Sequence, residues 1–224
     1  MRKVALIIVV TCVFIPLRAQ FRFSIQGGLN ATTQIAKNYH ADYAKNLFLI
    51  GFNAGPAIDY MWGRHFSVHS GIILENKGTR GHVEVGGRSA DVVNRLLCLD
   101  VPVLARWNFN AGNMVIFIEA GPYAGLGLTG KARIETADTS KSWNINWGKE
   151  PRDDFKRIDY GLIGGAGLEW KRFSLEGCFA YGLANIYALS QTGYVIEQRV
   201  FSIRIGYTLQ GWHPSRVPPL KGRL

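Results

Sequence analysis

The stretch of this sequence that comes nearest to a recognised chemical motif is Gly125-Leu-Gly-Leu-Thr-Gly130-Lys131. It satisfies both G-x-G-x-x-G and G-x-x-x-x-G-K, spacings in which backbone amides cradle nucleotide phosphates and a lysine reaches them. That chemistry also needs a Ser or Thr after the lysine to hold magnesium, and a helix N-terminus to face the phosphate. Ala132 stands where the hydroxyl would be, and the segment runs on as an extended strand, so no phosphate site is expected. Gly164-Gly-Ala-Gly167 is a run of the same kind; glycines spaced along a strand serve close packing or bending.

Metal and nucleophile chemistry find no better footing. His40, His65, His69, His82 and His213 stand apart, without the paired spacing to Cys, Asp or Glu that zinc requires. Ser89, Ser140, Ser142 and Ser190 fall in expected loops with no evident His and acid beside them, and a serine nucleophile needs a base within hydrogen-bond reach. No catalytic residue, metal ligand or cofactor is therefore assigned. Cys98 and Cys178 fall on inward faces three strands apart and are expected as free thiols.

The elements that carry these residues have a period of two. Phe21, Phe23, Ile25 and Leu29 alternate with Arg22, Ser24, Gln26 and Asn30. Ile116, Ile118, Ala120, Ala124, Leu126 and Leu128 face away from Glu119, Tyr123 and Thr129, and Phe201, Ile203, Ile205, Tyr207 and Leu209 oppose Ser202, Arg204 and Thr208. The same pattern recurs near 50–60, 66–77, 97–107, 158–170 and 173–183, which makes eight segments of strand length. No apolar run reaches the roughly 18 residues of a membrane helix. A chain that spans a bilayer with this pattern must do so with strands closed into a cylinder.

Connection lengths favour that reading over a soluble sandwich. Long connections near 31–47, 78–95, 130–156 and 187–198 alternate with tight ones at Gly63-Arg64, Asn110–Asn113 and Lys171-Arg172. Long–short alternation belongs to an up-and-down outer-membrane barrel, with both termini periplasmic. Trp62, Phe66, Trp107, Trp170, Phe173 and Tyr207 gather near the tight turns, as an interface girdle would. Residues 1–19 read as a signal peptide, with Arg2 and Lys3 ahead of an apolar core and Ala19 at the cut. Residues 20–210 form the barrel, and 211–224 a basic, Pro-rich periplasmic tail. Loss of Arg2, Lys3 and Arg18 with the leader lowers the net charge from +10 to +7. The positive residues are scattered, so the expected partner is outer-membrane lipid or lipopolysaccharide rather than nucleic acid.

Eight strands leave an interior just wide enough for side chains, which excludes an open pore. Arg106, Glu119, Arg157, Asp159, Glu169, Glu176 and Arg204 are expected to neutralise one another there, joined by Asp100 and His69. Inward glycines, among them Gly127, Gly161 and Gly167, leave room for the bulky members.

Several segments resemble the PorT-like outer-membrane barrels of Bacteroidetes. They are Phe23-Ser-Ile-Gln-Gly-Gly-Leu-Asn30, Gly71-Ile-Ile-Leu-Glu-Asn-Lys-Gly78, Leu99-Asp-Val-Pro-Val-Leu-Ala-Arg106, Phe117-Ile-Glu-Ala-Gly-Pro-Tyr-Ala-Gly125 and Asp159-Tyr-Gly-Leu-Ile-Gly-Gly-Ala-Gly167. The resemblance implies an all-β, eight-stranded antiparallel barrel; with no nucleophile and base evident in the sequence, it is expected to be non-catalytic. The resemblance also implies a place as accessory or assembly component of type IX protein secretion, with other secretion-system proteins as partners. A lipid-modifying barrel enzyme, or a surface-binding barrel using loops near Trp143, Trp147 and Tyr194, are the alternatives.

Overall fold

Hydrocarbon offers no water to an exposed amide or carbonyl, so spanning strands must be paired on both sides all the way round. The computed structural model describes residues 21–37, 45–85, 88–136, 139–148, 150, 152–188 and 194–210. The assigned leader and tail lie outside the described residues. The strands are β1 (Phe21–Lys37), β2 (Lys45–Leu47), β3 (Leu49–Trp62), β4 (Phe66–Gly71), β5 (Ile73–Val85), β6 (Arg88–Ala111), β7 (Met114–Thr136), β8 (Ser140–Asn144), β9 (Ile158–Trp170), β10 (Phe173–Gly182) and β11 (Val195–Gln210). β1 pairs with β3 on one side and β11 on the other; the round runs through β4 and β5, then β6, β7, β9 and β10, and closes on β11. Every one of these pairings is antiparallel.

β4 and β5 form one stave. It breaks at Ile72, whose N–H donates to the Pro56 carbonyl at 3.0 Å. The ring therefore has eight staves, as the alternation led us to expect. Tight turns join β3 to β4, β6 to β7 and β9 to β10, all at one end. Gly63, Gly112 and Lys171 adopt positive φ (84°, 61° and 56°), which mirror-type hairpin turns demand.

The opposite end departs from expectation. Much of what reads as long loop is strand: β1 continues to Lys37, β5 and β6 extend to Val85 and from Arg88, and β7 runs to Thr136 with β8 paired beside it. Outside hydrocarbon both faces meet water, so such strands need no apolar face and the alternation fades. One bulge also corrects a face assignment. Leu97 pairs with Thr129 but Cys98 with Gly127, so Leu128 is unpaired and both Leu128 and Thr129 face outward.

Across the wall the two faces differ in kind. Outward lie large apolar residues that stay about half exposed, such as Phe52, Ile118, Leu162 and Ile203. An apolar surface continuous around a whole cylinder far exceeds the patch a soluble monomer shows. In lipid the same surface costs nothing to leave uncovered. Trp62, Trp107, Trp170 and Phe173 are exposed at the tight-turn rim, with Phe66 and Tyr207 half-buried beside them. Their rings meet in pairs: Trp62 with Phe66 at 6.4 Å and Phe173 with Tyr207 at 5.2 Å.

Candidate functional site

The interior is built in layers, and their order follows from the inward residues of β6. From the turn they are Asn108, Arg106, Leu104, Pro102, Asp100, Cys98 and Leu96. Charged, apolar, charged and again apolar levels succeed one another along this one strand.

The first charged layer centres on Arg106. Its Nε donates to Glu119 Oε2 at 2.7 Å, and its terminal nitrogens lie 3.2 Å from Asp59, 3.3 Å from Glu169 and 3.6 Å from Glu176. The guanidinium also stacks on Phe117, 4.0 Å from the ring centre. That ring fits because a Cβ on Gly167 would collide with it. Arg22 donates to Asp59 Oδ2 at 3.0 Å and to Glu169 Oε1 at 2.6 Å. His69 Nδ1 lies 2.8 Å from Asp59 Oδ1. Arg204 donates to Glu176 Oε1 at 2.7 Å and to the Cys178 sulfur. Burying ions costs several kcal/mol each unless attraction and hydrogen bonds offset it, and each of these charges is set against at least one of opposite sign.

Above it sits an apolar layer of Leu104, Tyr123, Ile163, Cys178, Ala180 and Val200. The second charged layer follows. Lys77, fully buried, places Nζ 2.6 Å from Asp100, 3.1 Å from Asp159 and 4.0 Å from Glu75. The Tyr123 hydroxyl donates to Asp159 Oδ2 at 3.0 Å, and Glu75 accepts from Asn30 at 3.1 Å and Ser202 at 3.3 Å.

The mouth is closed by apolar side chains from the loop end. Ile145, Trp147 and Phe155, from the connection between β8 and β9, pack with Ala184 and Ile186 on Leu96, Cys98 and Ala132. The lid is sewn to the wall by backbone bonds: Ile145 N–H to Gly130 O at 2.9 Å, Gly127 N–H to Arg157 O at 2.7 Å, and Lys156 N–H to Ile186 O at 2.8 Å. Gly127 is inward-facing where the Trp147 ring lies, and a Cβ there would strike it.

Of the expected charges, Arg106, Glu119, Glu169, Glu176 and Arg204 come together in the first layer, and Asp159 joins the second with Asp100. Arg157 does not belong. It is exposed, and its guanidinium reaches only the Gly127 carbonyl at 3.4 Å. It lies one residue before β9, and although its carbonyl still accepts from Gly127 N–H, its side chain does not follow the alternation of that strand. Arg22, Asp59, Glu75 and Lys77 were missed as members, although period two already places each on a polar face.

The Gly125–Lys131 run lies within β7, and no helix follows it. Cys98 and Cys178 are buried free thiols. Among the described residues, no group of His, Cys, Asp and Glu could hold a metal ion. His82 does find an acid: it contacts Asp91 across β5 and β6 at the exposed loop end. A hydrogen bond from Arg80, with the charges of His82 and Arg80 adding to it, holds the Asp91 carboxyl below its ordinary range.

A ring of antiparallel strands with lipid-compatible residues outside and paired charges inside describes an outer-membrane barrel, and the sequence agrees. Residues 17–188 match the outer membrane protein beta-barrel domain family. The chain belongs to that family. No curated protein matches the sequence. Among solved structures, the chain is similar to OprG from Pseudomonas aeruginosa, at 14% identity and a TM-score of 0.47, covering 86% of this chain and 98% of that one. It is also similar to Ail of Yersinia pestis, at 16% identity and a TM-score of 0.40, covering 85% and 99%. The outer membrane enzyme PagL is a third, at 13% identity and a TM-score of 0.37, covering 80% and 97%. Members of the family reside in the outer membrane, and this chain is assigned there with them.

Proposed function

We propose that this barrel neither conducts nor catalyses, and that it works as an accessory or assembly component of type IX protein secretion with both termini in the periplasm. The observation that carries the absence of conduction is the filled interior: two layers of paired charge and an apolar lid lie across the axis. What remains for contact with other molecules is the outside of the barrel, above all the strand extensions at the loop end. The secretion role is supported by the resemblance of the β1, β5, β6, β7 and β9 segments to PorT-like barrels. The aromatic rim suits anchoring at headgroup level, with lipid or lipopolysaccharide around the wall.

Deleting the gene and measuring the exported proteins tests the role. Type IX cargo is expected to accumulate inside the cell, and a normal exported proteome would refute it. Reconstituted into planar bilayers, the protein is expected to give no single-channel current.

One observation favours a second reading. Ser89, His82 and Asp91 lie at the loop end, with His82 on Asp91 and Ser89 two residues along β6, the residue types that a hydrolytic site at the lipid surface would use. No hydrogen bond joins Ser89 to His82, and the pair is exposed, so no base is built at the serine. Alanine at Ser89 or His82 is expected to leave the lipid A mass spectrum unchanged; a shift in either would establish the enzyme.

A further inference from the structure

The outward face changes character sharply at one level on β6 and β7. Along β6 the outward residues above the Trp107 rim are Ala105, Val103, Val101, Leu99 and Leu97, all suited to lipid, and the next is Arg95. On β7 the apolar series ends at Leu126 and Leu128, and the next charged residue is Lys131, followed by Arg133. From Trp107 to Leu97 the strand rises about 30 Å along its own axis, which a barrel tilt reduces to about 25 Å, the height of a barrel's apolar band. Arg95 and Lys131 therefore stand where hydrocarbon gives way to headgroups.

They stand directly opposite each other, as cross-strand partners. Like charges so placed, with Cβ atoms about 5 Å apart, destabilise a sheet. The neighbouring cations have acids of their own: Arg80 holds Asp91 at 2.9 Å, and Arg133 holds Glu135 at 3.4 Å. Arg95 and Lys131 meet no carboxylate among the described residues. Around them lies a surface cavity of about 500 Å³, lined by Arg95, Lys131, Ser142 and the apolar Val93, and by the two ion pairs Arg80–Asp91 and Arg133–Glu135, whose carboxylates are already neutralised.

We infer that this cavity seats the phosphate of a lipid headgroup in the leaflet that the loop end meets. A phosphate bridging Arg95 and Lys131 turns a repulsive pair into two charge-assisted contacts, with Ser142 as a further donor. Continuity with the apolar band below is what selects a lipid: the acyl chains of the same molecule lie along Leu97, Leu99, Leu126 and Leu128. The inference requires a barrel embedded to this depth and does not depend on a role in secretion.

The test uses the full chain in nanodiscs of zwitterionic phospholipid, doped with a diphosphoryl glycolipid or with the same lipid dephosphorylated. Retained lipid is counted by native mass spectrometry. Wild type is expected to prefer the phosphorylated form by about tenfold or more, since each basic residue at a lipid surface contributes about a factor of five. The R95Q/K131Q double variant is expected to lose that preference. The R64Q variant, at the exposed tight turn on the other rim, is expected to keep it. Retained heat-modifiable migration on gels shows that each variant is folded. No preference in the wild type, or a preference unchanged in R95Q/K131Q, overturns the inference. Displacement of the lipid by equimolar inorganic phosphate would also overturn it, by assigning the site to the free anion.

Discussion

At the scale of single residues, the interior stands or falls on its cations. Arg106 faces Asp59, Glu119, Glu169 and Glu176 at once, so removing it strands buried carboxylates. Breaking a buried pair from one side costs about 3–5 kcal/mol. Arg106→Leu is expected to lower stability by that order, read as an earlier midpoint in urea unfolding in detergent micelles. Lys77→Met is expected to do the same through Glu75, Asp100 and Asp159. Adding Asp100→Asn to Lys77→Met should return part of the loss; a still larger loss would show that Asp100 is held by something other than charge. The buried thiols are expected to resist maleimide in the folded protein and to react once it is unfolded. Period two was enough to put Arg106, Glu119 and Arg204 inside, because lipid on one face forces polar groups to the other. It could not say that Arg22 reaches Glu169, since that contact spans 147 positions and exists only once the ring has closed.

At the scale of elements, strand existence was legible where hydrocarbon imposes the pattern, and strand length was not legible beyond it. The stretch near 78–95 looks like loop because Arg80, His82, Asp91 and Arg95 put charge on its outward face, yet it is a paired hairpin. The lid was illegible for another reason. Ile145, Trp147 and Phe155 follow no sustained period; Ile145 and Phe155 are buried, and Trp147 half-buried, because the barrel mouth offers an apolar floor of Leu96, Cys98 and Ala132. Gly127 makes the seat for Trp147. Gly127→Leu is therefore expected to expel the ring. The measurement is Trp147 fluorescence in a variant whose other tryptophans are replaced by Phe, where a red shift of the emission is the expected result. Replacing the stretch 145–157 by a short flexible linker removes the lid but not the charged layers. Such a barrel is expected to remain non-conducting, and appreciable current from it would show that the lid alone seals the molecule.

For the molecule as a whole, the claim is one of inversion: apolar side chains outward, charges packed within a closed ring. The ring and its eight staves could be read from alternation and turn spacing, and the bulge at Leu128 could not, because one unpaired residue leaves no signature in composition. The most direct test is a nitroxide scan along β7, one spin label at a time from Ile116 to Leu126, in lipid vesicles. Labels at Ile116, Ile118, Ala120, Ala124 and Leu126 are expected to collide with membrane-dissolved oxygen. Labels at Phe117, Glu119, Gly121, Tyr123 and Gly125 are expected to be immobile and shielded from it, so that oxygen accessibility oscillates with a period of two. Uniform access to an aqueous relaxation agent along the whole strand, or a period near 3.6, would contradict the barrel.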